Sequence, residues 1–212
     1  MKDACFYHIY NRANGSEQLF RNKDNYLYFL LQFKKYIAPI ADVYAYCLIP
    51  NHFHFVIKIK SEEELNVFFT EKLSKDSKLL KEGDLQGFQN LGGLISQQFS
   101  NFFNSYSKAF NKMHNRKGSL FSPNFKKKII TDKEYLQQVV LYVHLNPVKH
   151  HVDNDFKNYT YSSYLSVLSD KVTLIKRKEI VELFDDMNNF KFVHQEQKVK
   201  TELINEIIKE DD

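Results

Sequence analysis

Residues 42 to 60 read DVYAYCLIPNHFHFVIKIK, and this stretch constrains the fold more than any other. Two runs rich in β-branched and aromatic residues, 42–49 and 52–59, flank Pro50 and Asn51. Proline supplies the fixed φ of a turn and asparagine tolerates its irregular backbone, so the spacing predicts a β-hairpin. Side chains alternate across a strand. Phe53, Phe55, Ile57 and Ile59 therefore share one face, while His52, His54, Val56, Lys58 and Lys60 share the other. The first set needs a cover of helices. The second places two imidazoles side by side on a face expected to stay partly open.

The flanking sequence supplies the other layers. ACFYHIYN (4–11) reads as a strand, and NKDNYLYFLLQFKKYI carries helical spacing over about 23–37 until Pro39 blocks it. Ser61 and Glu64 have capping-box spacing and start a helix. An insertion is expected over about 61–93, and its stretch 72–93 is polar, glycine-containing and loop-like. A helix over 94–113 aligns Ile95, Phe99, Phe102, Phe103, Tyr106, Ala109, Phe110 and Met113 on one face. Residues 118–130 read as a strand or strand-bulge-strand. Thr131 and Glu134 form a second capping box, opening a helix over 132–146 that Pro147 should end. The remainder is a polar loop and one or two helices. The order predicts an α+β fold with a ferredoxin-like antiparallel sheet, β-α-β-β-α-β, plus one added helix and a C-terminal helical extension. We expect one domain over 1–165 and the extension over 166–212. With 43% hydrophobic residues, including 19 Phe and 13 Tyr, the core is well supplied.

Charge is unevenly placed. The net charge is only +4, yet residues 111–130 hold six Lys/Arg and no Asp/Glu. That segment suggests a patch for a polyanion, against the plainer reading of a solvated lysine-rich surface. Two cysteines, Cys5 and Cys47, make no disulfide framework. There is no signal-peptide pattern and no apolar run of membrane length, which leads to the expectation of a cytoplasmic protein without a membrane partner.

A His-x-His on one strand face can hold a metal ion, but an isolated pair more often only hydrogen-bonds at the sheet surface. A zinc site from Cys5, Cys47, His52 and His54 is a weaker alternative, because the spacing matches no common zinc signature and regular alternation would turn Cys47 away from the histidines. On the 132–146 helix, Leu136, Val140 and Val143 form the sheet-facing stripe. Gln138, Tyr142 and Asn146 recur every four residues beside it. Taken alone, Tyr142 reads as a core-edge tyrosine and Asn146 as a helix cap.

Four segments occur in order: FYHIYNRANGSEQLF, IPNHFHFVIK, RKGSLFSPNFKKKI and YVHLNPVKH. Together they resemble the single-tyrosine HUH (His-hydrophobic-His) transposases of insertion sequences. The NPVK and the later NYTYSSY are most like the REP-associated tyrosine transposase branch. The resemblance spans about residues 4–165; Asn124 stands where an arginine is common in that family. It implies a ferredoxin-like fold and a divalent metal, Mg²⁺ or Mn²⁺, held by His52, His54 and Asn146. It also implies Tyr142 as the nucleophile, with single-stranded DNA carrying a palindromic hairpin as substrate. Such an enzyme would cut and rejoin DNA through a covalent 5′-phosphotyrosine without any small-molecule cofactor. Lys58, Lys60, Arg116, Lys126, Lys127, Lys128 and Lys149 are candidate phosphate contacts. A non-catalytic module gripping structured single strands on the same fold is the alternative, as is a metal-stabilised RNA-binding domain. Whether the chain forms a homo-oligomer is left open.

Overall fold

The expected hairpin is the centre of the molecule. The computed structural model describes residues 1–75, 91–196 and 199–200. Four strands, β1 (Phe6–Arg12), β2 (Ala41–Ile49), β3 (His52–Ile59) and β4 (Lys126–Ile130), form one antiparallel sheet in the order β2-β3-β1-β4. The helices are α1 (Lys23–Tyr36), α2 (Glu62–Lys75), α3 (Leu91–Met113), α4 (Lys133–Lys149), α5 (Tyr164–Leu168), α6 (Arg177–Leu183) and α7 (Met187–Glu196). This is the ferredoxin-like arrangement with α4 as the added helix. No helix among the described residues is long and apolar enough to cross a membrane.

The aromatic face packs as its pattern demands. Phe53 lies 5.2 Å from Phe29 of α1 and 5.8 Å from Phe103 of α3, ring to ring, and Phe55 stacks on Phe33 at 4.1 Å. Truncating such a side chain to alanine costs about 3–5 kcal/mol, so this layer sets the register of β3. The turn before β3 is pinned from outside. Pro50 O accepts from Leu19 N (2.7 Å) and Phe20 N (3.0 Å), and Asn51 O accepts from Ala13 N (2.8 Å).

The second face is not partly open. Helix α4 lies against β2 and β3 and closes it, leaving His52 7% and His54 0% exposed. Helix α4 is buried on every side from Val139 to Pro147, because α7 packs behind it through Phe190 and His194. The C-terminal helices thus share the core of the sheet.

Several boundaries move. Helix α4 runs through Pro147 to Lys149: proline removes one donor, but His150 N still reaches Asn146 O at 3.0 Å and burial holds the last turn in place. Its cap is Asp132, which accepts from Tyr135 N, rather than Thr131. The Ser61–Glu64 box forms as expected. Of 118–130 only Lys126–Ile130 is strand, with a single bridge from Phe121 to Ala13. Met113 is 55% exposed, off the core stripe. In the expected polar stretch, 72–75 and 91–93 are helical, and 76–90 lie outside the described residues.

Candidate active site

Strand register assembles the first half of the site. His52 stands opposite Arg12 and His54 opposite Tyr10 on β1, and His54 is opposite Cys47 on β2. Directly opposed residues share a face, so Cys47 lies on the histidine side, contrary to the expectation from alternation. Even so, among the described residues no group of three or more His, Cys, Asp or Glu is arranged to hold a metal, and the four-ligand zinc site does not form. His52 Nδ1 meets Asn51 Oδ1 at 3.0 Å, and His54 Nδ1 meets His8 Nε2 at 2.9 Å.

Helix α4 supplies the second half. Its four-residue repeat turns Tyr142 and Asn146 toward β3. Asn146 Oδ1 is 3.3 Å from His52 Nε2, and the Asn146 amide donates to Tyr142 O at 3.2 Å. The Tyr142 ring stands edge-on to His54 (5.7 Å) and His8 (6.4 Å). Lys149 donates to the Tyr142 hydroxyl at 3.0 Å. Gln138, one turn earlier on the stripe, accepts from Lys200 N instead. His52, His54, Tyr142 and Asn146, on two elements about 90 residues apart in sequence, are therefore neighbours.

Burial sets the electrostatics. It holds His52 down at about 3, reinforced by His150, whose ring is 4.4 Å away, and by Lys149 and Arg12; the Asn146 bond opposes this. His8 falls to about 3 through burial alone, and His54 is pushed well below the usual histidine range by burial and then by His8, His52, His150 and Lys149. All three imidazoles are neutral at pH 7, the form that binds metals. A cleft of about 70 Å³ opens beside the pair, lined by Tyr10, Arg12, His52, His54, Asn124 and Lys126, among others. It is the volume of roughly two waters.

The basic residues divide. Lys126 borders this cleft, and Lys128 shares its face opposite His8, whereas Lys127 pairs with Ile9 and points to the other side. Lys58 sits over the Phe6 ring (5.4 Å), about 13 Å along the strand from His54, and Lys60 pairs with Glu64 (3.9 Å). Arg116 is spent inside the protein: it donates to Glu17 (2.7 Å), Asn111 (2.9 Å) and Ser119 O (2.7 Å). Hydrogen bonds from Arg21, then from Gln18 N and Arg116, hold the Glu17 carboxyl down to about 2. His8, Arg12 and His150 were missed by sequence reading. Strand β1 neighbours β3 in this topology, so a histidine near its middle was a usable signal, but only the register shows which residue it meets.

The donor set fits a divalent cation in part. Ligands at right angles and about 2.1 Å from one ion lie about 3.0 Å apart, close to the His52–Asn146 separation. With neutral imidazoles and an amide oxygen but no carboxylate, affinity would lean on substrate phosphate, and imidazole favours Mn²⁺ over Mg²⁺.

Among solved structures, the chain is similar to a REP-associated tyrosine transposase bound to a REP hairpin, at 16% identity and a TM-score of 0.49, over 80% of this chain and 82% of that one. No protein-family model matches the chain, and no curated protein does.

Proposed function

We propose that this chain is a metal-dependent endonuclease and strand-transferase for single-stranded DNA, cutting beside hairpins through a 5′-phosphotyrosine on Tyr142. The observation that carries the reading is the convergence of Tyr142 and Asn146 on His52 and His54, the two histidines that line a basic-walled cleft. The order of the four sequence segments supports it independently.

In this mechanism His52, His54 and Asn146 would hold Mn²⁺ or Mg²⁺, which supplies charge neutralisation at the phosphodiester oxygens. Arg12 and Lys126 orient the strand at the cleft by its phosphates. Tyr142 Oη attacks phosphorus, the bond from phosphorus to the 3′ oxygen breaks, and the phenol proton passes through solvent to the departing oxygen. The products are a phosphotyrosine and a 3′-hydroxyl. The phosphoester remains energetically comparable to the bond it replaced, so a second 3′-hydroxyl can reverse the step and join a different end.

Tyr142→Phe tests this. The variant should lose the denaturation-resistant DNA adduct while keeping hairpin affinity, at a stability cost of about 1 kcal/mol for the Lys149 hydrogen bond. Tyr135→Phe should form the adduct normally. A Tyr142→Phe protein that still forms adduct places the nucleophile elsewhere. A binding module is the second reading, favoured by one observation: both His52 nitrogens and His54 Nδ1 are engaged by protein groups, as in structural histidines. Hairpin binding without adduct in the wild type, across hairpins from the DNA beside its gene, selects that reading.

A further inference from the structure

The charge that faces the Tyr142 oxygen comes from the same helix, two turns on. Lys149 Nζ lies 3.0 Å from Tyr142 Oη and 4.7 Å from the centre of its ring. Seven residues separate them, almost two full turns, so the pairing exists only because α4 continues through Pro147. A helix ending at Asn146 would have released the lysine into solvent as one more phosphate contact.

We propose that Lys149 is a catalytic residue of the reaction assigned above: its ammonium stabilises negative charge on Tyr142 Oη as the phenol loses its proton and attacks phosphorus. The inference rests on the nuclease reading. Tyr142 is 3% exposed and its ring is bounded by the neutral imidazoles of His54 and His8, so water offers little solvation for a phenolate there. An ammonium at hydrogen-bond distance replaces that solvation, and its interaction strengthens as charge develops, which lowers the barrier rather than the ground state. Lys149 keeps its protons throughout. The Oη–P bond forms, the bond to O3′ breaks, and the phenol proton ends on the departing O3′. On reversal the same ammonium stabilises the departing phenolate. Placement at the nucleophile, rather than at the scissile strand, distinguishes this lysine from Lys126 at the cleft wall.

The experiment compares wild type, Lys149→Met and Lys149→Arg. The probe is a labelled DNA hairpin with single-stranded flanks taken from the DNA beside the gene. At saturating probe, Lys149→Met should form the adduct about 100-fold more slowly, Lys149→Arg should recover to within about 10-fold of wild type, and hairpin Kd should change less than about 3-fold. A saturating rate equal to wild type with only a weakened Kd overturns the assignment, because Lys149 would then merely grip the backbone. A DNA-free measurement separates this from failure of the nuclease reading. At fixed pH, the ¹³Cζ resonance of Tyr142 should shift in Lys149→Met, and the Lys149 ¹⁵Nζ resonance should shift in Tyr142→Phe. Absence of both shifts overturns the pairing itself. Intact shifts with no adduct in wild type overturn the nuclease reading and the assignment together, whereas an adduct in wild type matched by Lys149→Met overturns the assignment alone.

Discussion

Two histidine pairs, each closed by a nitrogen–nitrogen hydrogen bond of 2.9 Å, lie on different sides of α4. Both are buried and neutral. In the first, behind the helix, every ring nitrogen is accounted for. His194 Nδ1 donates to Phe190 O (2.7 Å), His144 Nδ1 meets His194 Nε2, and His144 Nε2 meets Ser163 Oγ (2.7 Å), which accepts from Tyr46 N (2.8 Å). That chain of donors has one consistent direction and fastens α7, α4, α5 and β2 together. In the second, His8 and His54 face Tyr142, with Lys149, Arg12 and Lys126 around them and a cleft alongside, and His8 Nδ1 is buried without a hydrogen-bond partner among the described residues. A buried histidine pair is therefore not a site by itself. Cationic surroundings, an adjoining cleft and incomplete satisfaction separate the candidate site from the structural clasp.

The sharpest break is His54→Gln, which keeps volume and polarity in a fully buried position where alanine would leave a cavity. It should lower the proposed metal-dependent adduct formation at least about 1,000-fold with the fold retained; cleavage at the wild-type rate with the same metal requirement would remove His54 from the proposed ligand set. Next comes the clasp. His194→Ala should cost about 2–4 kcal/mol, from the cavity and the orphaned His144 nitrogen, as read by urea unfolding. Its adduct rate per folded molecule should stay at wild type, and a fall in that rate would mean the two pairs are coupled. His8→Ala should act more mildly, weakening metal affinity about 10- to 100-fold by freeing the His54 ring to rotate. Isothermal titration with Mn²⁺ reads this, and unchanged affinity would make His8 a packing residue only.

The smallest effect is in pH. Burial lowers His194 to about 4 from its ordinary 6.5, with the Phe190 carbonyl pulling the other way. The unfolded chain takes up a proton below about 6.5 and the folded one does not until about 4. Stability should therefore be full above pH 6.5 and fall toward pH 4, each such histidine steepening the fall by up to about 1.4 kcal/mol per pH unit. In His194→Gln the acid limb should flatten by one proton's slope, measured by urea midpoints between pH 4 and 7. An unchanged slope would show that His194 is protonated in the fold.

Period-two alternation across 52–59 was enough to separate a packing face from a histidine face, and strand order followed from the succession of elements, because both depend on contacts between near neighbours in sequence. The spacing of Tyr142 and Asn146 on one helical stripe was legible for the same reason. Closure of the histidine face was not: it depends on α7 filling the space behind α4, a contact between residues about 50 apart that no local pattern announces. Pro147 misled for a related reason. Its local effect is to end a helix, but burial of the last turn outweighs one missing donor, and that persistence carries Lys149 onto Tyr142. Arg116, expected among the phosphate contacts, was claimed by Glu17, 99 residues earlier in the chain. Residue types and their periodicity determined which chemistry this chain can contain. Which imidazoles share a cleft with a cation, and which are sealed into a clasp, was decided only by long-range packing, where the burial of each polar group depends on what the rest of the chain brings beside it.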